Sequence, residues 1–256
     1  MFSFNPPKGF LSDKTILITG ASDGIGKCCA LHFANHGANL ILLGRSTEKL
    51  EKIYDSIHLF NPDGIAIHPL DFAAASLSDY KQVAQSIEEK YDKLDGLIHS
   101  AGMLGARCPI EHYPVETWEQ TLRVNTSAIF LLTKFLLPSM RRSDDARILL
   151  TSSSVGRDGR ANWGAYAVSK FGVEGLMQIL AKELEKTSNI KVNTLNPGGI
   201  RTNMRKAAYP AENPKSVPSP EILMPLYLYL FSKYSKGIHG ESLNFKDFNP
   251  LTYTMK

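Results

Sequence analysis

Within "WGAYAVSKFG", residues 163–172, Tyr166 and Lys170 stand four positions apart among Ala, Gly and Ser. In a helix, residues i and i+4 lie one above the other, so a phenol and an ammonium at this spacing can serve one point in space. Ala165, Ala167 and Ser169 keep that face free of bulk. A phenol, with a pKa of about 10, ionises poorly at neutral pH, and a neighbouring ammonium favours its phenolate. The pair therefore suits proton transfer to or from an oxygen, such as the alkoxide formed when a carbonyl accepts hydride. Ser153 lies thirteen residues before Tyr166 at the end of a strand pattern, where its hydroxyl could hold the same oxygen. Alone, a helical Tyr and Lys are commonly just solvated, a strand-end Ser is commonly a turn residue, and an Asn such as Asn125, within a long helical pattern, is commonly polar filler.

Positioning such groups takes a rigid frame. "KTILITG" is an apolar run ending in Gly20, and apolar residues then recur at helical spacing to about His36, which predicts strand, glycine turn and helix. Strand patterns return at 38–44, 64–70, 94–100, 146–152, 190–196 and 240–245, with long helical patterns between them. Such connections are crossovers, so the expected fold is α/β: a single Rossmann-type, doubly wound domain over 1–256, its parallel sheet flanked by helices on both faces. One Pro-rich stretch, 197–220, lacks a pattern and is longer than most loops, which marks about 199–220 as a candidate substrate lid.

"TGASDGIG", residues 19–26, falls between the first strand and helix, the context a dinucleotide-binding turn requires. Gly20 would allow the sharp turn, Gly24 the close approach of a pyrophosphate, and Gly26 the packing of helix on strand. A plain packing turn is the alternative. The second strand ends "LLGRS". Gly44 occupies the place where an acidic residue would hold the ribose 2′-hydroxyl of NAD, and Arg45 follows with donors suited to a phosphate. This favours NADP(H), against the reading of Arg45 as a solvated surface residue. Asp71 could bond an adenine amino group or serve as a turn residue.

Taken in order, "TGASDGIG", Asn125 in "RVNTS", Ser153 in "TSSSVG", Tyr166 and Lys170 in "YAVSK", and "NPGGIRT" at 196–202 resemble the short-chain dehydrogenase/reductase family over residues 13–245. "TSSSVGRDGRANWGAYAVSKF" and "MPLYLYL" look more narrowly like its YciK-type branch of bacterial oxidoreductases. The resemblance implies a seven-stranded parallel sheet and a tetrad of Asn125, Ser153, Tyr166 and Lys170, with Asn125 holding a water that relays protons to Lys170. It implies a cofactor lying along Gly20, Ser22, Asp23, Gly24, Ile25 and Gly26. The same cofactor would meet Arg45 and Ser46, Asp71 and Phe72, and Ser100, Ala101 and Gly102. Near Tyr166 and Lys170 it would reach Pro197 and Gly198, with the backbone near Ile200 and the Thr202 hydroxyl fixing the nicotinamide amide. Two features depart from the family. His99-Ser100 replaces the usual Asn-Asn before Ala-Gly, and the usual C-terminal Asp-Gly-Gly is absent from "NFKDFNP".

Composition narrows the partners. Net charge is +4, from 29 basic and 25 acidic residues spread along the chain, which argues against nucleic acid. Three cysteines, at 28, 29 and 108, give no disulfide framework or metal-ligand spacing, so a cytoplasmic location and no metal are expected; His32 and His36 share a helix face but have no evident third ligand. The start "MFSFNPPKGF" does not read as a secretory signal. "ILMPLYLYLF" (222–231) is ten residues long and contains Pro225, short of the about 18 a membrane span needs. It should be a core or subunit-interface helix. Long apolar helical patterns after Pro114 and Trp163 suggest a homodimer or homotetramer. The expected activity is NADP(H)-dependent interconversion of a small-molecule carbonyl and alcohol; a sensor that binds NADP(H) without turnover is the rival, and a structural protein with a vestigial site a third reading. Arg107, Arg157, Arg160, Arg201, Arg205 and Lys206 lie in the candidate pocket segments, where they could draw an anionic substrate, serve cofactor phosphates or merely be solvated.

Overall fold

Each of the seven strand patterns becomes a strand, and those inside the sheet find cover on both faces. In the computed structural model, which describes residues 2–253, the strands are β1 (Thr15–Thr19), β2 (Asn39–Gly44), β3 (Ile65–Pro69), β4 (Gly96–His99), β5 (Arg147–Thr151), β6 (Lys191–Asn196) and β7 (Ser242–Asn244). All pair in parallel, in the order β3-β2-β1-β4-β5-β6-β7. The domain expected over 1–256 extends past the described residues at Met1 and at 254–256.

The crossovers are α1 (Gly24–Asn35), α2 (Thr47–His58), α3 (Leu77–Lys90), α4 (Val115–Leu122), α5 (Ala128–Arg141) and α6 (Gly164–Leu184), followed by α7 (Asn203–Ala208) and α8 (Met224–Leu230). Successive strand residues point to opposite faces. Ile16, Ile18, Leu40 and Leu42 pack with α1, α2 and α8, whereas Leu17, Ile41 and Leu43 pack with α3, α5 and α6. The run 222–231 is core: Leu226 and Tyr227 of α8 are fully buried, and Pro225 sits in its first turn, where a missing N–H costs no helical bond.

The chain leaves β1 outward to β2 and β3, then returns to β4 on β1's other side. Loops diverge where the winding reverses, opening a crevice at the carboxyl ends of the strands. Two departures from the sequence expectations bear on it. Asn125 does not lie in continuous α-helix: residues 123–127 form a widened π-type turn between α4 and α5, and such turns re-aim side chains. The Pro-rich stretch is partly ordered by α7 and by 3-10 turns at Pro214–Ser216 and Pro220–Leu223, and the Arg201 N–H donates to the Pro218 carbonyl at 2.8 Å, closing it on itself.

His99 ends β4 with 2% of its surface exposed and Nε2 3.0 Å from Thr133 Oγ1. Burial, and secondarily the charge of Lys170, push its imidazole from 6.5 down to about 3. A pKa lower in the folded than in the unfolded chain contributes stability above the unfolded value and loses it as pH falls toward the folded one. Between pH 6.5 and 3 that loss should run at about 1.4 kcal/mol per pH unit. Urea unfolding at pH 7 and pH 5 should therefore show about 2 kcal/mol more acid destabilisation in the unmutated protein than in His99→Asn. Equal losses in the two would mean that the ring is not held neutral.

Candidate active site

Turns after β1, β4, β5 and β6 converge on the crevice. Gly20, at φ +65°, follows β1; a Cβ there would stand 2.7 Å from the backbone of Ala101, so this close crossing requires glycine. The Thr19 hydroxyl accepts from the N–H groups of Ser100 and Ala101, both at 3.1 Å, fastening the β4 turn to the β1 turn. One carboxylate oxygen of Asp23 accepts from the Gly24 N–H at 2.7 Å and the other from Asn203 Nδ2 of α7 at 2.6 Å. The glycine turn and the Pro-rich segment thus meet across the cleft.

Of the residues expected in the site, all but Gly26 and Asn125 border one cleft of ≈ 630 Å³. Gly26 instead seats α1 on the turn, because a Cβ there would collide with the Gly20 carbonyl. Asn125 lies behind the cleft, fully buried. Its Oδ1 accepts from the Met103 N–H at 2.7 Å, and Nδ2 donates to the Met103 carbonyl at 2.8 Å and to Ser169 Oγ at 3.0 Å. Both amide hydrogens are committed to protein partners, and the loop after β4 is pinned to α6 through them.

Tyr166 and Lys170 face the cleft from the first turns of α6. Lys170 is 3% exposed; its Nζ lies 5.6 Å from the Tyr166 ring centre and donates to the Thr151 carbonyl at 2.7 Å. Burial lowers this ammonium to about 8, and the Glu174 carboxylate pulls the other way. Burial raises the Tyr166 phenol to about 12, against a hydrogen bond with Ser153. In the protein by itself desolvation outweighs the Ser153 contact and Tyr166 keeps its proton at neutral pH; the expected lowering by Lys170 counted also on the positive charge of an oxidised nicotinamide.

The adenosine end of the cleft, as the sequence anticipates it, holds Arg45, exposed at the end of β2, with Lys49 one turn into α2; neither makes an ion pair among the described residues. Ser46 caps α2, accepting from the Lys49 N–H at 3.4 Å. Of the two readings of Asp71, its side chain takes the turn role, accepting from the Ala73 N–H at 3.0 Å. Phe72 borders the cleft, but its ring is committed to the core, stacked on Tyr80 at 6.1 Å and 7°. Thr202 caps α7 by accepting from the Arg205 N–H at 3.1 Å, which leaves its own hydrogen to donate. Cys28 and Cys29 are buried free thiols, Cys28 raised to about 12 chiefly by burial.

Several contributors were missed from sequence. Glu174 is 6% exposed and accepts from Ser152 Oγ at 2.5 Å, Ser242 Oγ at 2.5 Å, Thr194 Oγ1 at 2.8 Å and Arg157 Nε at 2.8 Å. Burial pushes its carboxyl up, but these four bonds more than offset it and hold the group below the ordinary carboxylate range. Its only sequence signal was the continued spacing Tyr166, Lys170, Glu174 at i, i+4 and i+8. Lys49, Trp163, Met204 and Tyr209 also border the cleft and carried no signal beyond their segments. Among the described residues, no helix is long and apolar enough to cross a membrane and no group of three or more His, Cys, Asp or Glu could hold a metal ion.

A seven-stranded doubly wound sheet with Asn, Ser, Tyr and Lys gathered at its switch point has a counterpart among known proteins: the chain belongs to the short chain dehydrogenase family of oxidoreductases, whose sequence profile matches residues 14–213. It is 44% identical to the uncharacterized oxidoreductase YciK of Escherichia coli K12 over 237 residues, 93% of each chain. A solved chain from Pseudomonas syringae superposes with a TM-score of 0.92 at 47% identity, covering 95% of this chain and 99% of that one. Another, from Shigella flexneri and complexed with NADP, superposes with a TM-score of 0.90 at 43% identity, covering 93% and 99%.

Proposed function

We propose that the chain is an NADP(H)-dependent oxidoreductase that interconverts a carbonyl and an alcohol by hydride transfer, with Tyr166 as general acid/base. The observation that carries this reading is a buried ammonium one turn from a buried phenol, with Ser153 bordering the same switch-point cleft. The cleft fits NADP(H). Gly20 and Gly24 keep its backbone open, and the unpaired Arg45 and Lys49 stand where a 2′-phosphate needs cations. The NADP complex of the Shigella relative agrees. When bound, the cofactor supplies or accepts the hydride. Ser153 holds the substrate oxygen, Tyr166 gives it a proton, and Lys170 steadies the charge that develops. Asn125 acts by holding the Met103 loop against α6. The whole chain serves as one cofactor- and substrate-binding domain, with 199–220 as its lid, and its three free thiols fit a reducing compartment, the cytoplasm.

Self-association is part of this reading. Val168, Phe171 and Ile179 form an exposed stripe along α6, at 46%, 46% and 56%, and Phe130 of α5 is 47% exposed. An apolar stripe of this kind marks an interaction face, here for a second copy of the chain. Sedimentation at micromolar concentration should give at least a dimer; a lone 28.3 kDa species would remove this part of the proposal.

NADPH should bind more tightly than NADH, and Arg45→Ala should erase most of the preference. A charge-assisted bond to phosphate is worth ~1.5–3 kcal/mol, or roughly ten- to 150-fold in affinity. Isothermal titration with both cofactors checks this, and equal affinities in the unmutated protein would refute it.

Carbonyl reduction should fall by ~10²–10⁴ in Tyr166→Phe with little change in NADPH affinity, whereas Lys170→Ala should lose both turnover and affinity. Because Tyr166 keeps its proton to about 12 and Lys170 keeps its own only to about 8, kcat/KM for reduction should decline as pH rises past about 8. Near-full activity in Tyr166→Phe would rule out the phenol as the acid. NADPH binding with no oxidation across a broad carbonyl panel would favour a sensor.

A further inference from the structure

Six basic residues lie in the segments around the cleft, yet the wall above Tyr166 is apolar. Trp163 and Tyr166 form one buried cluster with Val155 and Ala167, and Leu104, Met204, Ala208 and Tyr209 pack against it. The ring centres of Trp163 lie 5.6 Å from Tyr166 and 6.1 Å from Tyr209, so the aromatic wall runs from the proposed acid to the Pro-rich segment.

The basic residues nearest that wall are already occupied. Arg107 lies 4.0 Å over the Trp163 ring and donates to the Ala208 carbonyl at 3.0 Å, latching the loop after β4 to the end of α7. Arg205 makes a two-pronged pair with Glu212, at 2.7 and 2.6 Å, and lies 3.8 Å over Tyr209. Arg157 faces away, bonded to Glu174, to Asn244 Oδ1 at 2.8 Å and to the Leu243 carbonyl at 3.0 Å. Arg160 borders no part of the cleft, and Arg201 and Lys206 border an adjoining hollow of ≈ 220 Å³, on the far side of Thr202, Arg205 and Tyr209 from Trp163 and Leu104, which line the cleft alone. The remaining charges lining the cleft are Asp23, Arg45, Lys49 and Asp71, which follow β1, β2 and β3, together with Lys170 beneath Tyr166.

We infer that the substrate is an uncharged, apolar carbonyl compound, an aryl or alkyl ketone or aldehyde whose body lies against Leu104, Trp163, Met204 and Tyr209 while its oxygen meets Tyr166. A carboxylate or phosphate lying against Leu104, Trp163 and Met204 would be desolvated beside arginines that already have partners, and an ammonium there would meet no carboxylate of the wall. Apolar surface, in contrast, gains by leaving water there. The arginines around the cleft are thus latches of its walls and do not receive substrate charge. This inference rests on the oxidoreductase reading above.

Three ketones of one shape test it: acetophenone, 4-acetylbenzoate and the 4-trimethylammonium derivative of acetophenone, each assayed with NADPH. In parallel, the non-reducible acetanilide and 4-acetamidobenzoate are titrated with NADP present, read by quenching of Trp163 fluorescence in a Trp118→Phe background. The neutral ketone should exceed both charged ones by about tenfold or more in kcat/KM, and acetanilide should exceed 4-acetamidobenzoate by a similar factor in affinity. Trp163→Ala should lower kcat/KM for acetophenone by about tenfold with NADPH affinity unchanged. Equal or better handling of either charged ketone or of 4-acetamidobenzoate, or no binding of acetanilide, overturns the inference. Binding of acetanilide with no reduction of any ketone leaves the apolar chamber standing and removes the oxidoreductase reading instead.

Discussion

Lys170 carries its charge where almost none of it reaches water, and an ammonium in that position tends to shed its proton unless the surrounding structure compensates. The compensation comes from three directions. The Thr151 carbonyl at the end of β5 accepts from Nζ, the Glu174 carboxylate one turn along α6 supplies the opposite sign, and His99 on β4 stays neutral and adds no second positive charge. Each provider must hold its own place, so the demand of one ammonium spreads to strands and helices that never touch the cleft. Glu174 is anchored by Ser152 just past β5, by β6, by β7 and by Arg157 in the loop after Ser153, and that loop is thereby fixed relative to Tyr166.

The opposing shifts of Tyr166 and Lys170 have one cause. Burial penalises whichever form is charged, so it drives the phenol up and the ammonium down. A phenol that holds its proton beside an ammonium that still holds its own is a donor pair matched to an oxygen becoming negative. In the proposed reaction, the same exclusion of water that shifts these groups gives the apolar wall of Trp163 and Tyr209 its use, keeping competing donors from the substrate oxygen.

Much of this was legible in the sequence, for physical reasons. Strands such as "TILIT" and "NLILLG" are apolar on both faces because helices cover both sides of a parallel sheet, so they stand out as runs. The glycine turn and the Tyr/Lys spacing were legible because each is a local geometric requirement. What escaped depended on contacts across the chain. The π-type turn at Asn125 is set by how the side chain reaches Met103 and Ser169, and its five residues, RVNTS, look like ordinary helix. Glu174 reads as a solvated helix residue until β7, nearly seventy positions later, closes over it. Phe72 and Asp71 border the cleft as expected, but that the Phe72 ring also stacks on Tyr80 and that one Asp71 oxygen also accepts from the Ala73 N–H depended on neighbours no local pattern shows. Arg107, Trp163 and Tyr209 come from three separate loops, and nothing local announces that they will stack.

The anchoring of Glu174 also says something about timing. Ser242 supplies one of its four bonds, and Asn244 with the Leu243 carbonyl holds the Arg157 that supplies another. A chain emerging from the ribosome presents Tyr166 and Lys170 long before this last strand leaves the exit tunnel. Until it does, the carboxylate beneath them lacks part of its shell and the edge of the sheet is open. The full set of bonds around Glu174 therefore closes only when the chain is nearly finished.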